Sequence, residues 1–406
     1  MMIDNSFKPE YSELLEGLEP YKEEFKFSTP ETIPEDFPEN GFGEKKTIEC
    51  LAPIAIGKAT KLDDPLAFAH MDPPTPWITW IMSLWNASLN QNLLHPAISP
   101  VARGFEAKAI DWLCPYFGMN GGHLTPGSTL SNLTALWVAR DLKGVDKIIA
   151  SEEAHISMKK SANILGLDFE KVPCNKDGSL NIQLLPEDLS KSCLVLTAGT
   201  TATGAIDNLK YKGNAAWVHV DAAWAGPLRI SKKHGYLLDG VDNADSVSIS
   251  GHKWIFQPKD SSILLFKNTS EAHESISVSA GYLSSSNIGI MGSRGAIGLP
   301  LLATLMTWGK RGLAERLDSC MKLSTKLYRH LLNSNVLVFS PPVSGVILWR
   351  PKAQYSADEI FSRLPLGSAS LTTVNDEKWV RHVAANPNMQ IDLLCSKITE
   401  ALEMLG

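Results

Sequence analysis

Between Asp64 and about Leu305, short runs of β-branched and aliphatic residues alternate with longer stretches of helical periodicity. Lys147–Ser151, Ser192–Thr197, Ala216–Val220, Ser246–Ser250 and Ser262–Phe266 read as strands, most of them apolar at successive positions, as in strands covered on both faces. Ser131–Leu142, after a Gly-Ser-Thr turn, and Ile156–Leu165, after Glu152-Glu153-Ala154-His155, read as helices between them. This alternation predicts an α/β fold, a mostly parallel sheet with helices on both faces. Ligands of such sheets bind beyond the carboxyl ends of the strands, where Asp221 and the turn Ser250–Lys253 fall.

The pattern changes after about residue 306. A long helix over Thr307–Leu332, strands over Val336–Phe339 and Ser344–Trp349 separated by a Pro-Pro turn, and a closing helix over Met389–Leu405 predict a small C-terminal α+β domain. Residues 1–64, rich in Glu, Pro and Lys, read as an N-terminal arm rather than a domain. The expected division is therefore an arm (1–64), a large domain (65–305) and a small domain (306–406). There is no internal repeat or low-complexity segment.

Across 406 residues, 44% hydrophobic and 20% charged residues indicate a globular chain able to bury a large core. A net charge of -6 and the lack of a long basic run argue against a general nucleic-acid binder. The six cysteines are scattered, with no C-x-x-C and no His/Cys cluster at zinc spacing, so reduced thiols and no metal site are expected. The polar start of the chain shows no secretory signal, and apolar stretches such as Ile78–Trp85 fall short of a membrane span. A cytoplasmic protein with no membrane partner is the expectation.

Two segments carry the chemistry. In Trp217-Val218-His219-Val220-Asp221-Ala222-Ala223-Trp224 an aspartate ends an apolar strand, and in Ser250-Gly251-His252-Lys253-Trp254-Ile255-Phe256 a lysine precedes aromatic and aliphatic residues. Desolvation there lowers a lysine's proton affinity and frees its amine to form an imine. A buried aspartate needs a partner, which a protonated pyridine nitrogen supplies, although helix capping also accounts for an aspartate in this position. Thr125–Asn132 opens a helix with small hydroxyl residues, a pattern for binding phosphate or for ordinary capping. His155, at another helix start, offers a flat ring for stacking or a surface cap. Trp77, Trp80 and Trp85 suit core packing or the lining of a substrate pocket.

In this order, the segments Pro65–Pro74 (PLAFAHMDPP), Gly127–Arg140 (GSTLSNLTALWVAR), Ala154–Ser157 (AHIS), Gly199–Thr201, His219–Gly226 (HVDAAWAG) and Gly251–Trp254 (GHKW) resemble the group II pyridoxal-phosphate-dependent amino-acid decarboxylases. That resemblance implies a fold type I architecture and pyridoxal 5'-phosphate as cofactor. Lys253 matches the Schiff-base lysine and Asp221 the partner of the pyridine nitrogen; Ala223 and His155 would flank the ring. Ser128 and Thr129 match the phosphate turn, with Ser250 and His252 adding contacts from the lysine loop and Thr201 near cofactor and substrate. Ser293 resembles a phosphate contact that some members take from a neighbouring subunit. Tyr282, in a Ser/Gly-rich stretch, resembles a loop tyrosine that protonates the substrate carbon; a structural tyrosine fits equally.

The resemblance implies decarboxylation of an L-amino acid by a homodimer. The alternatives are a carbon-carbon lyase or aldehyde-forming enzyme of the same fold, and a non-catalytic member that binds cofactor or a partner. Trp224 stands where many members have tyrosine, and Pro126-Gly127-Ser128 replaces a more glycine-rich turn, so an altered pocket shape is expected.

Overall fold

The computed structural model describes residues 10–22, 33–281, 283, 286–352 and 354–405. Its contacts divide into two units, Met1–Lys61 and Leu62–Gly406. The first holds α1 (Tyr11–Leu18), opened by a capping box between Glu10 and Glu13, and α2 (Glu44–Ala55).

The second unit begins with α3 (Trp77–Leu89) and α4 (Ala102–Phe117), then alternates: β1 (Gly121–Thr125), α5 (Ser128–Lys143), β2 (Lys147–Ser151), α6 (Ser157–Leu165) and β3 (Asp168–Val172). Next come β4 (Ser192–Thr197), β5 (Trp217–Asp221), β6 (Ser246–Ser250) and β7 (Ser262–Phe266). These strands form one sheet in the order β1-β7-β6-β5-β4-β2-β3. The pairings β2–β3, β2–β4, β4–β5 and β5–β6 are parallel, while β7 runs antiparallel to both β1 and β6. Each strand expected from the sequence occurs, and the one assigned to Ala216–Val220 is shifted by a residue to end on Asp221. Strands β1 and β3 were not expected, because one opens on Gly121-Gly122 and the other, DFEKV, is a half-exposed edge without an apolar run.

Alternation within the central strands sends side chains to two cores. Leu194, Leu196, Val218, Val220, Val247 and Ile249 join the larger one, on the side of α4; Cys193, Val195 and Trp217 join Ala135, Leu136 and Met158 of α5 and α6 on the other. Strand β6 reads Ser-Val-Ser-Ile-Ser, with Val247 and Ile249 in the large core and the serines on the opposite face. It is buried at every position yet apolar on one face only.

Beyond α7 (Thr269–Ser275), a two-stranded ribbon of β8 (Ser277–Val278) and β9 (Asn287–Ile288) leads to α8 (Gly298–Leu332). That helix starts earlier than the expected Thr307, since Pro300 in its first turn costs no intrahelical hydrogen bond, and Gly309 (φ 58°) interrupts it. The remaining elements are β10 (Val336–Val338), β11 (Val346–Pro351), α9 (Ala357–Phe361), β12 (Ser370–Val374), β13 (Glu377–Val383) and α10 (Ile391–Glu403). The four strands form an antiparallel sheet in the order β10-β11-β13-β12, the expected α+β C-terminal part. Cys114, Cys174, Cys193, Cys320 and Cys395 are not in disulfides.

Candidate active site

A cavity of about 240 Å³ opens where the parallel strands end. Asp221, Ala223, Thr197, Gly199, Thr201, His252 and Lys253 line it from the sheet side, with Pro126–Thr129 and His155 from the helix side. Two loops need glycine to reach it. Gly127 takes φ +105° at the N-cap of α5, whose first residues line the cavity, and Gly199 takes φ +99° where a Cβ would lie 2.8 Å from Trp224 Cδ1. Helix α5 therefore starts at Ser128 rather than at the expected Ser131. Ser128 Oγ is 3.1 Å from Ser262 Oγ, which in turn donates to the Ile249 carbonyl at 2.9 Å, so the turn is tied to strand β7.

Lys253 follows β6 in a tight turn, held by hydrogen bonds from Lys253 N to Ser250 O (3.3 Å) and from Phe256 N to Lys253 O (2.8 Å). Burial depresses its proton affinity; Asp221 and Asp72 oppose the shift, and Lys259 and Arg381 add to it. An amine in this state is available as a nucleophile near neutral pH to a greater degree than a surface lysine. Asp72 and Lys259 form an ion pair beside the site. For Asp72, burial alone would raise the pKa, and the hydrogen bond and charge of Lys259 bring it below the usual carboxylate value.

Asp221, 4% exposed, accepts hydrogen bonds from Asn132 Nδ2 (3.0 Å) and Ala223 N (3.1 Å), with Ser248 Oγ at 3.4 Å. Its carboxylate is thus oriented by a network rather than capping a helix; β5 leads into a turn. His155 contacts Ser157, with Nδ1 2.8 Å from Ser157 Oγ and accepting from Ser157 N at 3.2 Å. Burial lowers its pKa, Asp221 opposes, and Lys253 and Lys160 add to the lowering, which favours the neutral ring. His252 falls to about 4, by burial first and then by the charges of Lys259 and Lys253.

Around this cavity the side-chain atoms Thr197 Oγ1, Ser250 Oγ and His252 Nδ1 are buried with no partner among the described residues. Buried polar atoms left this way call for a ligand or water. A nucleophilic amine, an oriented carboxylate, a flat imidazole and a helix N-terminus with hydroxyls converge here, a donor set that fits a phosphorylated aromatic aldehyde with a basic ring nitrogen.

Of the residues singled out in the sequence, Lys253, Asp221, His155, Ser128, Thr129, Thr201, Ala223 and His252 line one cavity, and Ser250 immediately precedes the lysine turn. Ser293 does not line it and accepts a hydrogen bond from Asn92 Nδ2 at 3.1 Å. Tyr282 lies outside the described residues. Trp77, Trp80 and Trp85 are 68%, 58% and 51% exposed and line neither the cavity nor the core, contrary to both uses expected of them. Trp224 does shape the site: it stacks on Trp254 (ring centroids 4.0 Å apart) and donates to Ser344 O at 2.7 Å.

Several residues of the site were not legible in the sequence. Asn132 sits inside α5 and joins Asp221 to Ser157. Arg381 reaches over from β13, donating to Thr201 O at 2.9 Å and Ala69 O at 3.2 Å. The available signal was polar residues inside otherwise buried elements: Asn132 beside Leu133 in α5, and Arg381-His382 between Val380 and Val383 in β13.

The model for the pyridoxal-dependent decarboxylase conserved domain matches residues 28–341. An L-2,4-diaminobutyrate decarboxylase of Acinetobacter baumannii is 25% identical, over 89% of this chain and 84% of its own length. An aspartate 1-decarboxylase of Aliivibrio fischeri is 28% identical over 75% of this chain, which spans only 65% of that relative. The solved structure of Oryza sativa TDC with PLP and tryptamine superposes with a TM-score of 0.85 at 20% identity, covering 98% of this chain and 99% of the other, a likeness of fold. With the family model matched over most of its length, this chain belongs to the pyridoxal-dependent decarboxylases.

Proposed function

We propose that the chain removes the α-carboxylate of an L-amino acid as carbon dioxide and releases the amine, using pyridoxal 5'-phosphate held at Lys253. The observation that carries this reading is the convergence of Lys253, Asp221, His155 and the Ser128–Thr129 helix start on one cavity. When bound, the cofactor supplies an electron sink for the pair left behind by the departing carboxylate. Lys253 holds the cofactor through its depressed-pKa amine. Asp221, its charge fixed in place by Asn132 and Ala223, keeps the ring nitrogen protonated. The first amides of α5, with Ser128 and Thr129, bind the phosphate; Ser250 and His252 bring their partnerless atoms to the same task. His155 and Ala223 flank the ring, and Thr201 stands beside the substrate space.

A proton must return to the α-carbon, and Tyr282 and His155 are the two candidates by type. Ser293 is proposed as a phosphate contact made to a second copy, in a homodimer whose sites depend on both chains. Light scattering that finds a fully active monomer would exclude that arrangement.

Borohydride reduction followed by peptide mapping tests the cofactor assignment: a pyridoxyl adduct is expected on Lys253, and its absence from protein incubated with cofactor would overturn the reading. A screen for carbon dioxide release over a panel of L-amino acids then identifies the substrate. Oxygen consumption and product mass distinguish amine formation from the aldehyde-forming and carbon-carbon lyase outcomes.

A further inference from the structure

Behind the cavity runs a buried chain of hydrogen bonds whose direction is fixed at both ends. It begins at the Trp217 indole, which can only donate: Nε1 gives its proton to Ser246 Oγ at 2.9 Å. Ser246 Oγ lies 2.9 Å from His219 Nδ1, and His219 Nε2 lies 3.0 Å from Asn132 Oδ1. Ser248 Oγ donates to the same Oδ1 at 2.6 Å. Asn132 Nδ2 spends its two protons on Asp221 Oδ2 and Ser157 Oγ, both at 3.0 Å.

The amide cannot be turned over. Flipping it would set Asn132 Oδ1 against the Asp221 carboxylate, acceptor facing acceptor, and would put the NH2 group against Ser248 and His219. With Oδ1 fixed as acceptor, His219 must carry its proton on Nε2 and take the Ser246 hydroxyl proton at Nδ1. Burial holds His219 neutral, with a pKa near 4 despite the opposing charge of Asp221. At the other end Ser157 Oγ accepts from Asn132, which frees its own proton for His155 Nδ1 at 2.8 Å. The amide of Ser157 also points at Nδ1, 3.2 Å away, and a backbone N–H can only donate. The backbone contact requires an unprotonated Nδ1, and the Ser157 hydroxyl, free to donate, matches it.

We infer that Asn132 and Ser157 are positioning residues that hold His155 as a neutral imidazole protonated at Nε2, so that the ring offers the cavity a hydrogen-bond donor and not a base. Nε2 has no partner among the described residues, and His155 lines the cavity. A neutral imidazole N–H is a poor acid, so proton return to the substrate carbon falls to another group, Tyr282 being the remaining candidate by type. His155 instead donates to an acceptor oxygen of the bound molecule, a carboxylate or a phenolate-type oxygen. This role rests on the cofactor reading above; the tautomer itself does not.

The tautomer is read in the cofactor-free protein by long-range proton–nitrogen correlation on histidine labelled with nitrogen-15, with His155 assigned through His155→Asn. The expected wild-type signature is a protonated Nε2 and an unprotonated Nδ1 at pH 7; a protonated Nδ1, or an even mixture, overturns the inference without any variant having to fold. In Ser157→Ala the hydroxyl donor is lost, and the tautomer ratio is expected to move about five- to tenfold toward Nδ1–H, the amount one neutral hydrogen bond supports. The loaded Ser157→Ala enzyme is expected to lose about tenfold in kcat with little change in KM. An unchanged tautomer ratio and unchanged kcat would remove Ser157 from the role. Borohydride labelling of Lys253 in the same protein after incubation with cofactor separates the two claims. A missing label beside an Nε2-protonated His155 overturns the cofactor reading alone, whereas a labelled Lys253 beside an Nδ1-protonated His155 overturns this inference alone.

Discussion

Replacing Asp221 with asparagine keeps the shape of the side chain and removes its charge. The native carboxylate receives Asn132 Nδ2 at 3.0 Å on one oxygen and Ala223 N at 3.1 Å on the other. An amide has one acceptor oxygen, so in either orientation its NH2 group faces one of these donors. One buried donor pair is then left unmatched, at about 1–3 kcal/mol of folding stability. The larger effect falls on catalysis. With Asp221 as the proposed partner of the ring nitrogen, loss of the negative charge would cost that nitrogen its proton and weaken the electron sink; removal of one preorganised electrostatic contact to developing charge typically costs about 10²–10³ in kcat. Asp221→Asn should therefore lower kcat by at least about a hundredfold. Its melting temperature should drop by a few degrees, and borohydride trapping at Lys253 should persist, because that residue is untouched. The assay is carbon dioxide release under saturating cofactor, with calorimetry on the same protein. A variant with kcat within about fivefold of wild type would refute the assignment of Asp221 as the partner of the ring nitrogen.

Other outcomes follow from the same structure. Lys253→Ala should abolish both carbon dioxide release and borohydride labelling; retained labelling at another lysine would show that the holding residue was misassigned. Arg294 makes a two-pronged ion pair with the buried Glu106 (2.5 and 3.0 Å), and Glu106 also accepts from Leu124 N. Glu106→Ala strands that guanidinium and should cost about 3–5 kcal/mol in a urea unfolding experiment, while a loss under about 1 kcal/mol would contradict the burial argument. Stability should also fall with acid. Burial lowers the pKa of His123 to about 3 and of His219 and His382 to about 4, from 6.5. Between those values and 6.5 the unfolded chain binds more protons than the folded one, so stability rises with pH across that window and is lost as pH drops through it. Asp207, raised by burial to about 6, runs the other way, but it is one group against these three and His252, which also falls to about 4. Urea midpoints that stay flat from pH 7 to about pH 5 would sink this prediction.

How far these features could be read from the chain depends on distance along it. Lys253 and Asp221 were legible because Asp221 ends β5 and Lys253 lies in the turn that follows β6, and these two parallel neighbours bring their carboxyl ends to one edge: Asp221 pairs in register with Ser248, two residues before Ser250. The strand Ser246–Ser250 was found although it lacks a continuous apolar run, since its two apolar positions, Val247 and Ile249, keep a period of two. The half-exposed edge β3 left no comparable trace. The tryptophans of α3 failed as a guide because an amphipathic pattern says which positions are apolar, not whether anything covers them.

The polar network behind the site illustrates a different limit. Asn132, Ser157, His219, Ser246 and Ser248 look interchangeable with any small polar residue until burial is known, and burial turns each into an obligation to find partners. Once Asp221 is taken as an acceptor, the Asn132 amide has one orientation, His219 one tautomer and Ser157 one free proton. Under the proposed roles, the carboxylate's orientation toward the ring nitrogen and the proton that His155 presents to the cavity are therefore set by one asparagine. Asn132→Asp would break both at once: it removes the donors to Asp221 and Ser157 and places a second acidic group against the first. A variant of that kind that kept both kcat and the His155 tautomer would show that the two functions are held independently, by contacts other than this shared amide.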